Sequence, residues 1–261
     1  MTGLGRGVLH QRTQSTFTEV VRHEPGEAAR PYVEFYWHVR WNVREPYETK
    51  VLAHPNVHLV FEEPEPLVYG VDRNLFTRML EGRGQVLGIK FRPGGFRPFT
   101  EGPVLGLADR RVPAAAFFGA EVAEVSRRVL EAGDSAAMAR LAEAFLVPRL
   151  PAAVDPTAAE VAAMAERITA SPGLCRVEAA AAEFGVSVRH LQRLFAEYVG
   201  ASPKWVLRRA RLHEAATRAD AGAPIDWATL ATDLGYTDQA HLVHDFTATV
   251  GTSPARYART P

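Results

Sequence analysis

The clearest hydrophobic pattern in the first half of the chain is a strict alternation over residues 32–41. Apolar side chains occupy positions 33, 35, 37, 39 and 41, and the positions between them carry Tyr32, Glu34, Tyr36, His38 and Arg40. A period of two residues is typical of a half-buried β-strand. Shorter runs, separated by Pro, Gly and Asn or Asp, predict further strands near residues 17–22, 49–52, 57–61, 67–71 and 86–91. A β-rich region to about residue 112 is therefore expected, preceded by a loose polar arm at residues 1–15.

Beyond residue 120 the apolar positions recur at intervals of three and four residues, which is the period of amphipathic helices. This pattern predicts helices at residues 121–132 and 135–147. A linker containing two prolines follows at residues 149–156, and a further helix is predicted from about residue 157 to residue 170.

One helical unit occurs twice, as an internal repeat, between residues 177 and 257. In each copy an apolar helix runs into a glycine, a second helix follows a Ser or Asp cap, and the unit closes with Gly-x-Ser-Pro. The turn glycines, Gly185 and Gly235, can adopt the left-handed conformation that ends a helix. Two helices joined by a short glycine-containing turn form the motif that places its second helix in the DNA major groove. The repeat therefore predicts two tandem helix-turn-helix units.

The residues of both units resemble the AraC/XylS transcription regulators. The segments that match are 187–195, 200–203, 211–215, 235–239 and 251–254. The resemblance implies two helix-turn-helix subdomains joined by a long helix from Pro203 to about residue 218, with recognition helices that enter successive major-groove segments. Residues 88–95 are also similar to the β-rich sensor domains of such regulators, which implies a cupin-like domain or a related β-roll.

These patterns predict an α+β chain with two domains. Residues 1–150 are expected to form a β-rich regulatory domain that ends in two helices, and residues 157–261 a bipartite helix-turn-helix domain that binds DNA. The helices at 121–147 occupy the position at which relatives often dimerise, but packing on the sheet would produce the same pattern. Both interpretations stay open here.

Because the apolar stripe of the first recognition helix faces inward, the polar residues of this helix face outward. Arginine suits guanine and glutamine suits adenine in the major groove, and the outward positions match base-contacting positions of the family. The predicted base readers are Arg189, Gln192 and Arg193 in the first unit, and Gln239, Ala240, Val243 and His244 in the second. The second set departs from the commoner residues of the family, which puts base reading by that helix in question. Lys204, Arg208 and Arg209 are the predicted phosphate contacts.

Charge is distributed unevenly within this region, although the whole chain is formally neutral. Residues 176–218 carry eight Arg or Lys against four Glu, a net charge of +4, whereas residues 219–261 carry two Arg against five Asp, a net charge of −3. Because neutralising phosphates supplies most non-specific affinity for DNA, the first unit is expected to be the electrostatic anchor.

Candidate chemistry elsewhere is sparse. Cys175 is the single cysteine, so internal disulfides are excluded. His38, His54 and His58 lack the spacing of metal ligands, and there is neither a phosphate-binding glycine loop nor a nucleophile elbow. We therefore expect no metal, no cofactor and no enzymatic activity. A small-molecule site on the polar strand face, with Tyr32, Tyr36, His38 and Arg40, is one hypothesis, and exposure of that face to solvent is the other.

A DNA-binding transcription regulator in the cytoplasm is the function that these observations favour. Double-stranded DNA is the expected partner, with RNA polymerase, a small-molecule effector and a second copy of the chain as further ones. The alternatives are a β-barrel enzyme or ligand-binding protein with a helical interaction tail, and an architectural protein that binds DNA without promoter specificity. The chain has no apolar run long enough to span a membrane.

Overall fold

The computed structural model describes residues 7–259. Its N-terminal part contains eight strands among these residues: β1 (Thr18–His23), β2 (Val33–Asn42), β3 (Tyr47–Leu52), β4 (His58–Phe61), β5 (Leu67–Tyr69), β6 (Leu75–Leu80), β7 (Arg83–Phe91) and β8 (Arg111–Pro113). Six of them form one antiparallel sheet in the order β1-β2-β7-β4-β5-β8, and β3 pairs with β6 in a second sheet.

The β-rich prediction is confirmed, but the strands β6 and β8 were not predicted. β6 lacks a clean alternation of apolar and polar residues, and β8 has only three residues, so neither gave a period-two signal. Among the described strands the two sheets remain separate and do not close into a barrel. The β-rich domain that the resemblance implies, cupin-like or a related β-roll, is thus present as two antiparallel sheets without a closed barrel.

Among the described residues, four helices belong to the N-terminal part: α1 (Gln11–Gln14), α2 (Ala115–Phe118), α3 (Glu121–Leu130) and α4 (Ser135–Leu146). The two helices predicted over residues 121–147 are confirmed as α3 and α4. Their apolar sides share one core with the six-stranded sheet, and this core includes Val122, Val129, Met138, Phe145, Phe61 and Ile89. Packing on the sheet thus accounts for the apolar stripes of both helices.

The helical part contains α5 (Pro156–Ala170), α6 (Val177–Glu183), α7 (Val188–Leu194), α8 (Pro203–Asp220), α9 (Trp227–Asp233), α10 (Gln239–Val250) and α11 (Pro254–Tyr257). The pairs α6–α7 and α9–α10 are the two predicted helix-turn-helix units, and α8 is the long helix between them. Gly185 and Gly235 have φ of 67° and 68°. This left-handed conformation ends the first helix of each unit as predicted, because glycine adopts it without a steric cost.

The arm before β1 is not loose over its described residues, 7–15, and residues 1–6 of that prediction lie outside the described range. Val8 forms a bridge with Val51, and the amide of Leu9 donates to the carbonyl of Lys50 at 3.0 Å. Leu9 is 2% exposed and belongs to the core of the second helix-turn-helix unit. Strand-like pairing and one buried leucine therefore hold the arm in place.

Candidate nucleic-acid interface and ligand cavity

The first recognition helix, α7, presents the predicted polar residues to solvent. Ser187 caps it, since its hydroxyl accepts a hydrogen bond from the amide of His190 at 3.1 Å. Leu191 and Leu194 are buried, and Arg189, Gln192 and Arg193 are exposed. The helix therefore keeps one face in its own core and offers two guanidinium groups and one amide on the other.

The second recognition helix, α10, is built in the same way but carries less polar chemistry. The Asp238 carboxylate accepts the amide of His241 at 2.8 Å and caps the helix. Leu242 and Phe246 are fully buried. The outward set is exposed apart from Val243, which is half-buried, and it consists of Gln239, Ala240, Val243 and His244.

The three residues predicted to contact phosphates lie in different environments. Lys204 is exposed at the start of α8, whereas Arg208 forms an ion pair with Asp245 of α10. Arg209 is 3% exposed, and its Nη2 donates to the backbone carbonyl of Arg73 at 2.7 Å. Burial lowers the pKa of Arg209 to about 10. Lys204 is thus open to a phosphate group, the side chain of Arg208 is 41% exposed but paired with Asp245, and Arg209 is closed off by burial.

This difference gives a testable contrast between two neighbouring positions of α8. Lys204→Ala should reduce the slope of log affinity for DNA against log salt concentration by about 0.9, because one phosphate contact is lost. Arg209→Ala should leave the slope unchanged and lower the free energy of unfolding by about 1–3 kcal/mol, because a buried hydrogen bond is lost. Retardation assays over a salt series and urea unfolding measure the two effects. A lower slope in Arg209→Ala would place that side chain on the DNA instead.

A polar network that the sequence analysis did not identify joins α8 to α10. Asp245 is 8% exposed, accepts a hydrogen bond from the Tyr236 hydroxyl at 2.8 Å, and is paired with Arg208. Burial and the nearby Asp245 carboxylate raise the pKa of Tyr236. The available signal was an aspartate beside Phe246, on the inward stripe of a recognition helix, where an unpaired carboxylate would be costly.

The residues predicted to form a small-molecule site do not line the cavity that is described below. Tyr36 is buried in the core between the sheet and α3 and α4, and Tyr32 belongs to the same core. His38 is 6% exposed and its Nε2 lies 3.1 Å from Oε1 of Gln85. Arg40 is exposed and forms an ion pair with Glu19 at 2.6 Å. From Tyr36 onward, the even-numbered face of β2 thus lies on the side of the sheet that α3 and α4 cover.

The opposite face of β2 lines a large cavity. It has a volume of about 690 Å³ and is bounded by residues of both sheets, the arm and α5. β2 contributes Phe35, Trp37, Val39 and Trp41, and α5 contributes Ala165, Glu166, Thr169 and Ala170. The volume falls within the range of natural ligand pockets. From Phe35 onward the odd-numbered residues of β2 line this cavity, whereas at the register shift near the start of the strand Val33 lies in the helix-covered core and Glu34 lines the cavity.

His58 of β4 also lines the cavity, and its Nδ1 accepts a hydrogen bond from Nε1 of Trp37 at 3.1 Å. Burial, reinforced by the neighbouring cations Lys90 and Arg111 and by His54, lowers the pKa of His58 to about 3. The side chain is therefore neutral at physiological pH, and its second nitrogen, Nε2, carries the proton.

The lowered pKa of His58 makes the stability of the protein depend on pH in a defined direction. Below the ordinary histidine value of 6.5 the unfolded chain binds a proton that the folded chain excludes, so stability is present above pH 6.5 and is lost as pH falls towards 3. Between pH 8 and pH 5 this residue should cost about 2 kcal/mol of unfolding free energy. Urea unfolding at both pH values, with His58→Gln as the comparison, isolates the effect from that of His23 and His38. An equal pH dependence in wild type and variant would contradict it.

Within residues 7–259 no three His, Cys, Asp or Glu side chains are grouped to hold a metal ion. Likewise, no helix of this range combines the length and the hydropathy needed to cross a bilayer.

Two families match separate parts of the chain. Residues 180–260 match a family described as a helix-turn-helix domain, and residues 21–113 match a family described as a domain of unknown function (DUF6597). A comparison with curated proteins gave no match.

Among solved structures, ToxT from Vibrio cholerae O395 is 11% identical over 92% of this chain and 96% of its own, with a TM-score of 0.38. A structure of ToxT from strain SCE256 with bound unsaturated fatty acid is 10% identical over 99% of this chain and 97% of its own, also with a TM-score of 0.38. Similarities of this size carry no argument about function. The match over residues 180–260 agrees with the two helix-turn-helix units described above.

Proposed function

We infer that this chain, whose residues 180–260 form an AraC-type helix-turn-helix domain, is a transcription regulator that reads DNA with two tandem recognition helices. The observation that carries the inference is the repeated construction of α7 and α10. Each helix is capped at its first turn, buries an apolar stripe and directs its other face to solvent. A helix held in this way can enter the major groove with its N-terminal residues against base edges.

Base reading is assigned chiefly to the first unit. Arg189 and Arg193 can each donate two hydrogen bonds to a guanine, and Gln192 can pair with an adenine. The second unit offers Gln239 for a base edge, Val243 for a thymine methyl group and His244 for a phosphate or base. Together with the net charges of +4 and −3, these residues make the first unit the anchor and the second a weaker, more apolar reader.

The N-terminal part is proposed to modulate DNA binding because it contacts both units. On the first unit, Arg97 forms an ion pair with Glu197 at 2.7 Å, and the amide of Gly94 donates to the carbonyl of Tyr198 at 3.0 Å. On the second unit, the amide of His10 donates to the hydroxyl of Tyr257 at 3.2 Å. One body that touches both units can set their relative orientation, and hence the spacing of the two recognition helices.

The cavity is connected to the DNA-binding helices through two of its walls. Ala165 of α5 lines the cavity and also belongs to the core of the first unit. His54 lines the cavity and stacks on His213 of α8, with ring centroids 4.0 Å apart and an interplanar angle of 10°. A ligand that moved either wall would act directly on α5 or α8. We therefore propose a small-molecule effector for this cavity.

Retardation of genomic DNA fragments in the presence of excess random competitor tests the proposal. A specific regulator retards a small subset of fragments, and the subset persists as salt is raised. Failure to retard any fragment at low salt would favour the ligand-binding or enzymatic alternative. Equal retardation of all fragments would favour an architectural DNA binder.

A second test addresses the proposed domain boundary between residues 150 and 157. A fragment of residues 157–261 should fold, because α5 to α11 contain two cores of their own apart from contributions by Leu9, Leu52, Val71 and Leu75. Loss of these side chains should make it less stable than the full chain. Circular dichroism of the fragment checks this, and a spectrum without helix would show that the boundary is wrongly placed.

The remaining partners are proposed from the same assignment. A regulator of this kind acts in the cytoplasm, where its DNA and RNA polymerase are found, and needs no catalytic step. A second copy of the chain is a further proposed partner, which sedimentation of the DNA complex would reveal.

A further inference from the structure

We propose that the cavity binds an uncharged, planar aromatic molecule that stacks on Trp37. The proposal rests on the assignment of this cavity as an effector site and names the chemical class of the effector. Three features of the cavity wall carry it: an aromatic surface backed by glycines, the pairing of the charged groups, and a neutral hydrogen-bond donor.

The aromatic surface depends on two glycines of β7. Trp37 pairs across the strands with Gly88, and Trp41 pairs with Gly84. A Cβ atom added to Gly88 would lie 2.1 Å from Cε2 of Trp37, and one added to Gly84 would lie 2.2 Å from Cζ2 of Trp41. Each indole therefore covers the backbone of the opposite strand, where any other residue would push it away. Such covering holds the rings against the sheet and creates a flat surface for another ring.

Trp37 is the central ring of this surface. On one side, Phe35 has Lys90 Nζ at 4.9 Å from its centroid, and on the other, the Arg78 guanidinium lies 5.5 Å from the ring of Trp41. The two outer rings are thus engaged with cations. His58 meets Trp37 at its edge, with centroids 5.9 Å apart and planes at 72°. Stacking against the face of Trp37 is the favourable geometry for a planar aromatic group.

Most charged groups of the wall form ion pairs with one another, and Arg22, which also lines the cavity, has its guanidinium 4.6 Å from the centroid of the Phe35 ring. Lys90 pairs with Glu34 at 2.9 Å, Arg92 with Glu166 at 2.6 Å, Asp72 with Arg111 at 2.8 Å, and Arg78 with Glu62. A charged ligand would have to break one of these pairs, draw Arg22 away from the Phe35 ring or remain unpaired in a mostly apolar cavity, and each of these is costly. The wall therefore favours a ligand without net charge.

Orientation of the ligand is assigned to His58. Because its Nδ1 accepts the Trp37 indole hydrogen, Nε2 carries the proton and can donate to a carbonyl or ring nitrogen. An uncharged donor beside an aromatic face matches an uncharged aromatic ligand with one acceptor.

Calorimetric titration of the full-length protein with three probes of similar shape tests this assignment. Naphthalene-2-carboxamide is aromatic and uncharged. Naphthalene-2-carboxylate has the same ring system but is an anion, and decahydronaphthalene-2-carboxamide is uncharged but lacks the aromatic ring. The aromatic amide should bind at least about tenfold more tightly than the carboxylate, and about three- to tenfold more tightly than the saturated amide. Equal or tighter binding of the carboxylate, equal binding of the saturated amide, or no binding of any probe would overturn the proposal.

Variants of the wall locate the bound probe. Trp37→Leu should lower the affinity for the aromatic amide to that for the saturated amide, and Trp37→Phe should restore part of the affinity. Val39→Trp should reduce binding by filling the cavity, and it serves as the test if Trp37→Leu does not fold. Unchanged affinity in a folded Trp37→Leu or Val39→Trp variant would place the probe elsewhere. If the aromatic amide bound but the affinity of the protein for DNA did not change, the proposed ligand class would stand and the proposed control of DNA binding by the ligand would be rejected.

Discussion

Replacing Arg189 and Arg193 together with alanine should remove most of the sequence preference of this protein for DNA. Both side chains are exposed on the outer face of α7, and Arg193 lies 2.9 Å from Nδ1 of His190. Each arginine that reads a guanine contributes about 1–3 kcal/mol of discrimination, so the pair should cost about 2–6 kcal/mol on the preferred site. Competition binding between preferred and random DNA measures this loss.

The control for this double variant is Lys204→Ala, which removes a positive charge from the same unit outside the recognition helix. It should weaken binding to preferred and random DNA alike, because a phosphate contact carries no sequence information. If the double variant also lost affinity equally on both DNAs, the two arginines would be phosphate contacts and base reading would have to lie elsewhere.

Asp245→Ala should be the most destabilising single substitution in the network that joins α8 to α10. The carboxylate is buried, and its removal leaves the Tyr236 hydroxyl and the Arg208 guanidinium without their partner. Removing one member of a buried pair costs about 3–5 kcal/mol, and partial exposure of Arg208 reduces this to about 2–3 kcal/mol here. Urea unfolding gives the value, and footprinting should show weakened protection at the second half-site.

Arg208→Ala and the double variant complete the cycle for this ion pair. Since the two side chains interact directly, the combined loss should be smaller than the sum of the single losses. Additive losses would mean that Asp245 stabilises the protein through Tyr236 alone. A change in unfolding free energy below about 0.5 kcal/mol in Asp245→Ala would contradict a stabilising role of the network.

The helical half was predictable in detail because its signals are local. Caps at Ser187 and Asp238 and left-handed glycines at 185 and 235 act within a few residues, so spacing alone predicts where each helix begins and ends. The outward positions follow from the helical period. These are properties of short segments that tertiary packing did not override.

The cavity could not be predicted from the same kind of pattern. From Phe35 onward the alternation in β2 correctly separated two faces, but both are covered, one by α3 and α4 and the other by the cavity walls. An apolar face looks the same in sequence whether it packs a core or lines an empty volume. A further signal lay in β7, where Gly84 and Gly88 fall four residues apart, as do Trp37 and Trp41, but their pairing depends on the register of two distant strands.

The burial of Arg209 could not be predicted from the sequence either. From sequence, its position beside Arg208 on a basic helix suggests phosphate binding, and nothing local indicates that the backbone of Arg73 lies against it. That contact joins residues 136 positions apart. Burial of a charged side chain by a distant part of the chain is a tertiary property that composition and periodicity do not report.

Selection of bound fragments from a genomic DNA pool, performed in parallel with wild type and Arg189→Ala, tests the central assignment most directly. Two recognition helices in successive major-groove segments predict two conserved half-sites about 10 base pairs apart. The half-site read by the first unit should be the more constrained of the two. Arg189→Ala should relax one base position in that half-site and leave the other half-site unchanged. Recovery of fragments with no common sequence, or an identical motif from both proteins, would contradict the account.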